Sequence, residues 1–542
     1  MDCRGRSRLA WTCLALLLFS NLPYVIAWAA TPADSHFTGF VFNPIDGHSY
    51  LAKMRQGFQG SWRFHLGFTP EESPGASIFL YHLLLGHFAR WLGLPLVGVY
   101  HGARILTGLG MLRAIYALAA ASLEQHQGRV TTFLLTALGS GLGWLLTPLF
   151  GIRTADLWVP EAFPAYALMA NAHFPLAIGL MALIGVCGLG LIGLEGVDGC
   201  RRRRRAWGLT LVSAAVALGI IQPFGLVPTF GALAITVAAR AAAGRDRGEA
   251  GLPWRSATWV VGAAAAALPY PLYAQWAIRS DPVLAAWHAQ NVTPSPPLWD
   301  WALSYGLILL LALRGAVTAA RRRKDLDVLL LGWVFVTVVG MILPIPLQRR
   351  LSIGLGVPLG MLAGMGWWYG VRKAFHSRWR GPVRALIIAL TALTPVFLIA
   401  VASTAAVGPQ ASSPDTWLYL RDGEWAALSW LRDLAEAPSK HVVLCSPQMG
   451  TFVPAWSGQR VVYGHPFETV DAEARLRDVR AYWTGTMNDA QRTAFLERNR
   501  VDTVLLGPRE RMLTTPAWED PPGGELIFQT GTTRIYAIHE LP

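Results

Sequence analysis

Long apolar stretches alternate along this chain with short basic ones. A membrane-crossing helix needs about 20 mostly apolar residues. Stretches of that kind fall at 9–30, 97–122, 130–150, 172–195, 206–221, 223–240, 257–278, 298–316, 326–345, 351–372 and 383–405. The pattern predicts about 11 spans, several of them short or broken by Pro and Gly. The run SIFLYHLLLGHFARWLG at 77–93 behaves differently. At roughly 100° per residue, His82, Gly86, His87 and Arg90 share one arc while Ile78, Phe79, Leu84, Leu85 and Trp91 fill much of the rest, which suits a helix lying in the interface plane.

From Asp415 onward the apolar runs shorten and charges become frequent. HVVLCS at 441–446, RVVYGH at 460–465, DTVLLG at 502–507, ELIFQT at 525–530 and TTRIYAIHE at 532–540 read as strands. EWAALSWLRDLAEA at 424–437, DAEARLRDVRAYW at 471–483 and NDAQRTAFLERN at 488–499 read as amphipathic helices. Strands alternating with helices predict a small α/β domain. The expected fold is an α-helical polytopic membrane protein with a C-terminal extracytoplasmic α/β domain. Its transmembrane part is 1–405, including an outer loop 31–96 with juxtamembrane helices, and its outer domain is 406–542.

Composition supports the membrane assignment, since 53% of residues are hydrophobic and only 15% charged, a balance that water-soluble domains rarely show. The net charge of +13 is no sign of a nucleic-acid partner, because the basic residues sit in clusters between apolar runs: 201–205, 240–255, 321–324 and 372–380. Such clusters mark cytoplasmic loops. With Arg4, Arg6 and Arg8 inside and 77–93 lying flat, all four clusters fall inside; were 77–93 a span, all four would be outside. The expected topology is a multi-pass cell-membrane protein with a cytoplasmic N-terminus and an extracytoplasmic C-terminal region. The first apolar run is read as a retained helix rather than a cleaved signal, and the five cysteines show neither metal-ligand spacing nor a disulfide framework.

Candidate chemistry collects at the ends of the apolar runs. FNPIDGHSYLAKMRQG, just after the first run, carries Asp46, which is either a helix cap or a working carboxylate. Tyr50 and Lys53 share its helical face at i+4 and i+7, where they orient the carboxylate, bind a head group, or in the case of Lys53 face solvent. His48 is expected at the surface. Asp156 and Glu161 lie in the next outer loop, each either a second carboxylate or an ordinary loop residue, with the loop reading favoured for Asp156 and the two even for Glu161. His173 in NAHFP starts a span or lines a site at the same level. Gln348, Arg349 and Arg350 lie at the outer end of a span against the charge bias, where a guanidinium matches a lipid phosphate or reaches to head groups. Arg104 is an intramembrane charge, functional by default and structural as the alternative. Gln222-Pro223 is a turn. In the tail, His465, Glu468, Arg509 and Glu510 follow strands, positions where functional groups gather.

These segments, with NAHFP at 171–175, QPF at 222–224, QRR at 348–350, SGQRVVYGHPFET and LLGPRER, resemble the GT-C superfamily of polytopic glycosyltransferases. That superfamily includes protein mannosyltransferases, aminoarabinose transferases and oligosaccharyltransferases, and the chain looks like a bacterial, mannosyltransferase-like branch. The resemblance implies transfer of a sugar from a polyprenyl-phosphate donor to a glycan, lipid or protein acceptor at the outer face. It gives Asp46 the role at the reacting centre, while Tyr50, Lys53, Arg104, His173, Gln348, Arg349 and Arg350 are substrate-binding candidates by their positions. The family pattern often has two neighbouring acids; here Asp46 stands alone, a departure that counts against both metal dependence and a paired-acid mechanism, so no cofactor is assigned and a divalent Mg or Mn ion is left open. The competing readings are a transporter or lipid flippase, disfavoured by the lack of paired halves, and a non-catalytic scaffold whose outer domain binds a partner.

Overall fold

The computed structural model describes residues 3–195, 197, 199–245, 253–434, 441–515, 518 and 520–538. The centre of the basic stretch 240–255, the last residues of the helix expected at 424–437 and the end of the strand expected at 532–540 lie outside them. Among the described residues nine helices are long and apolar enough to cross a membrane, and a tenth if the pair Ser377–Thr391 and Leu393–Val407, bent by 46°, is one span. The protein is a multi-pass membrane protein. The stretch expected to span at 257–278 divides instead into helices Trp254–Ala267 and Pro269–Ser280. Pro269 lacks the N–H that would continue the hydrogen-bond ladder.

The chain folds as two compact units. The first comprises 1–21, 102–272 and 293–401; the second comprises 22–101, 273–292 and 402–542. In the first unit, helix Gly356–Met365 is buried along its whole length. A Cβ at Gly315 would lie 1.9 Å from the Leu362 carbonyl oxygen, and one at Gly366 2.0 Å from that of Leu311. Helix Leu298–Arg322 and this central segment therefore meet backbone to backbone, the close approach that small residues permit between membrane helices.

The second unit gathers the first loop and the chain after the last apolar run. β1 (Ser35–Phe37) pairs antiparallel with β2 (Tyr419–Arg421), with Ser35 opposite Arg421. A five-stranded sheet follows, built from β3 (Val442–Leu444), β4 (Arg460–Val461), β5 (Thr503–Leu506), β6 (Glu525–Thr530) and β7 (Thr533–Ala537) in the order β4-β3-β5-β7-β6. β3 is parallel to β4 and β5, while β7 runs antiparallel to β5 and β6. Its apolar core includes Val442, Leu444, Tyr482, Trp483, Phe495 and Val504. The expected helices at 471–483 and 488–499 appear as Ala472–Trp483 and Asp489–Arg498. Helix Met449–Trp456, with Pro454 inside it, was not expected from the pattern because eight residues show too few periods.

Two helices of the first loop complete this unit, Pro44–Phe58 and Leu80–Leu92. Thirteen residues span about 20 Å, so Leu80–Leu92 is too short to cross a bilayer. The two helices touch where they have no side chains: a Cβ on Gly57 would fall 2.1 Å from the Leu83 oxygen, and one on Gly86 1.9 Å from that of Met54.

Candidate functional site

Helix Pro44–Phe58 begins as its sequence dictates. Pro44 takes the first helical position, where its missing N–H is harmless. Asn43 precedes it at φ 49, a left-handed conformation that Asn tolerates. Asp46 therefore stands in the first turn rather than at the cap. Its partners are side chains: Asn43 Nδ2 donates to Oδ2 at 2.6 Å, and His465 Nε2 lies 3.4 Å from Oδ1.

His465 belongs to the loop after β4, which is held at many points. Its Nδ1 accepts the backbone N–H of Phe467 at 3.1 Å and of Glu468 at 3.2 Å. Asn291 donates to the Phe467 oxygen at 3.1 Å, and Gln290 accepts from Asp471 N at 3.0 Å. Three residues after His465, Glu468 Oε1 receives Lys53 Nζ at 2.7 Å and the Ser49 hydroxyl. Lys53 is 1% exposed and also donates to Ser49 Oγ at 2.6 Å. Its ammonium lies 4.7 Å from the Phe79 ring centre and 5.1 Å from that of Phe64. Lys53 thus faces protein rather than solvent, its charge matched by Glu468. Tyr50 stacks on His82 with ring centres 4.5 Å apart.

The electrostatics follow from this geometry. Burial opposes the charge on Asp46, but the facing Nε2 side of His465, the Asn43 amide and the Lys53 ammonium outweigh it, and the carboxyl is held below its ordinary range. Yet 38% of the Asp46 side chain is exposed, so a carboxylate ready to accept a proton remains reachable. Glu468 is likewise lowered: burial opposes its charge, and Lys53 followed by His465 overcomes it. His48 corrects the expectation of a surface residue, being 0% exposed between the rings of Phe40 and Phe452. Burial pushes its pKa down to about 3, so it is a neutral core imidazole at physiological pH.

The remaining candidates lie in the first unit. Arg104 donates to the carbonyl oxygens of Leu168 at 2.6 Å and Met169 at 3.3 Å and to Asn21 Oδ1 at 2.5 Å, bonds that account for its burial. Glu161 Oε1 is 3.7 Å from Arg349 Nε, whose guanidinium also covers the Trp158 ring at 5.1 Å. Arg350 covers Phe224 at 5.4 Å. Gln348 accepts from Ser295 N and donates to the Leu343 oxygen. His173 opens helix His173–Ile192 and is buried. Asp156 accepts from Gly141 N, Gly143 N, Thr154 Oγ1 and Thr394 Oγ1. In the tail, Arg509 pairs with Glu424 at 3.0 Å, and Glu510 accepts from Ser446 N and Gly507 N. Asn43 and Ser49 were missed in the sequence, although one immediately precedes the helix of Asp46 and the other lies one turn further along it. So was an apolar groove of about 360 Å³ lined by Leu309, Leu313, Phe335, Val338, Val339 and Leu359.

Among the described residues no group of three or more His, Cys, Asp or Glu side chains is placed to hold a metal ion.

Many apolar spans together with a small sheet domain give a fold similar to that of solved membrane glycosyltransferases. No family description and no curated protein matches the chain by sequence. The structure is similar to the oligosaccharyltransferase of Archaeoglobus fulgidus in its apo form, at 13% identity and a TM-score of 0.53, covering 92% of this chain and 69% of that one. It is similar to ArnT from Cupriavidus metallidurans bound to undecaprenyl phosphate, at 12% identity and a TM-score of 0.51, covering 96% and 97%. It is also similar to the arabinofuranosyltransferase AftD from Mycobacteria, at 13% identity and a TM-score of 0.54, covering 99% of this chain and 40% of that one.

Proposed function

We propose that this protein is a membrane glycosyltransferase that moves a sugar from a polyprenyl-phosphate carrier to an acceptor at the extracytoplasmic face, with Asp46 as the base. The observation that carries this reading is Asp46 itself: a carboxylate held ionised yet 38% exposed, early in the first loop of a GT-C fold. One similar structure, ArnT, contains undecaprenyl phosphate, and another, the Archaeoglobus oligosaccharyltransferase, is tethered to an acceptor peptide. Both support a lipid-borne donor and a separate acceptor.

In this reading an acceptor hydroxyl or amide gives its proton to Asp46 as its oxygen or nitrogen bonds to the sugar's anomeric carbon. The bond from that carbon to the phosphate oxygen breaks, and polyprenyl phosphate leaves with the electron pair. General-base help of this kind contributes about 10²–10⁴-fold, and cations or aligned dipoles stabilise the leaving phosphate. Arg349 and Arg350 are the candidates for that role, because a guanidinium meets a phosphate with two parallel N–H donors. The apolar groove has the volume and lining to take part of an isoprenoid chain. The basic clusters support a cytoplasmic N-terminus and an extracytoplasmic C-terminal region.

The test uses purified full-length protein, undecaprenyl-phosphate-linked sugars, and the rate at which undecaprenyl phosphate is released. Asp46→Asn keeps the size of the side chain and removes the base, so the rate should fall about 10²–10⁴-fold. A fully active Asn variant overturns Asp46 as the base. For orientation, reporters fused after Val407 should be exported and those after Arg205 cytoplasmic; the reverse overturns the face of transfer.

A further inference from the structure

The loop that carries His465 makes contacts with the first-loop helix that the Asp46 reading alone does not use. Nδ1 of His465 accepts two backbone N–H groups, from Phe467 and Glu468. A nitrogen receiving two N–H groups uses its lone pair, so the ring proton belongs on Nε2. That atom is buried, with no hydrogen-bond partner among the described residues, and the carboxylate 3.4 Å away is what it faces. Phe68 packs beside the ring with centres 5.5 Å apart, so the imidazole is boxed in on its apolar side as well.

The loop cannot easily withdraw. Thr469 Oγ1 accepts from Gly464 N at 3.3 Å and from His465 N at 3.2 Å, Asn291 holds Phe467, and Gln290 holds both Thr469 and Asp471. The Lys53–Glu468 pair bolts the same loop to the same helix. The charged and titratable groups that meet here are Asp46, His48 and Lys53 from the helix and His465 and Glu468 from the loop, with Arg509 acting on His48 from the far side.

We infer that His465 is a positioning residue: its Nε2–H, fixed by the loop backbone, and the Asn43 amide hold the two Asp46 oxygens so that the carboxylate stays ionised and turned toward the open side. This rests on the reading of Asp46 as the base. A distance of 3.4 Å is slightly longer than a formed bond, and catalytic hydrogen bonds often tighten only when the site is occupied. A donor on a carboxylate favours its charged form, so removing it should raise the proton affinity of Asp46.

The experiment reads Asp46 directly, without any substrate. Infrared pH titration of the full-length protein in detergent, with the Asp46→Asn spectrum subtracted, follows the carboxylate band. In His465→Ala the midpoint should move up by roughly one pH unit. In His465→Gln, whose amide offers both an acceptor and an N–H donor, most of the shift should be reversed. An unmoved midpoint in His465→Ala, or a Gln variant that titrates like Ala, overturns the inference. The transfer assay separates the two claims. If Asp46→Asn transfers normally, the base assignment fails; if it is inactive while the His465 variants leave the titration unchanged, only the positioning role fails.

Discussion

Asp46 and Asp156 are both loop carboxylates among apolar spans, and the structure gives them opposite surroundings. Asp156, 1% exposed, accepts two backbone N–H groups and two threonine hydroxyls from its own unit. A carboxylate has about four lone-pair sites, so Asp156 is saturated. Asp46 has one formed hydrogen bond, from Asn43, one imidazole at 3.4 Å and 38% of its side chain exposed. The saturated acid ties Gly141, Gly143, Thr154 and Thr394 together; the open one keeps an exposed face that another molecule can reach. The chemistry of such a residue is decided by how many donors surround it, not by the presence of the acid.

The sharpest way to break this contrast is to substitute both acids alike. The loss of about 10²–10⁴-fold expected for Asp46→Asn should have no counterpart in Asp156→Asn, which retains an acceptor oxygen and should transfer at close to the normal rate. A large loss of transfer in a well-folded Asp156→Asn would end the distinction.

The next effect in size concerns the buried pair beside Asp46. Lys53→Met leaves Glu468 charged and unpaired in the interior, which should cost about 3–5 kcal/mol, while Lys53→Met with Glu468→Gln should recover much of it; denaturation of the full chain in detergent measures both. The pair also sets a pH dependence. Glu468 titrates below its ordinary value of 4.5 in the folded protein, so its contribution is complete above that value and is lost as pH falls through the lower folded value. Thermal stability should therefore drop on acidification below about 4.5, and less steeply in the double variant. Equal acid sensitivity in both would place the titrating group elsewhere.

Asp156→Ala should be smaller, about 1–3 kcal/mol, because it leaves buried N–H groups without an acceptor; unchanged denaturation would show that the network is dispensable. The smallest shift is expected at Arg349. Arg349→Lys keeps the charge beside Glu161 but loses the planar fork, and binding of undecaprenyl phosphate should weaken by roughly tenfold, one charge-assisted hydrogen bond. Unchanged binding in Arg349→Lys and in Arg350→Lys would remove the pair from phosphate recognition.

Much of the architecture was legible along the chain, because its signals are local. Apolar length marks a span wherever hydrocarbon must cover the backbone, so most spans appear within a few residues of their expected ends. Two stretches are broken rather than continuous: 257–278 divides at Pro269, where the backbone could not continue one helix, and 383–405 bends between Thr391 and Leu393. In the tail, strands and helices with enough periods were found and the eight-residue helix at Met449 was not. Charge separation also singled out Asp46, Tyr50, Lys53, His465 and Glu468 as residues of interest.

What the chain could not reveal by itself is which of these residues meet. Ser49 and Glu468 are 419 positions apart, and no periodicity extends across such a distance. Lys53 looked like one more solvated lysine and His48 like a surface histidine, because their own helix is amphipathic only weakly and the groups that bury them, Phe64, Phe79 and Glu468 for Lys53 and Phe40 and Phe452 for His48, come from other segments. Local pattern determined the spans, the sheet and the list of candidate acids. Tertiary packing decided which acid is saturated, which charge is paired and which carboxylate stays open, since burial and donor count are properties of neighbours in space.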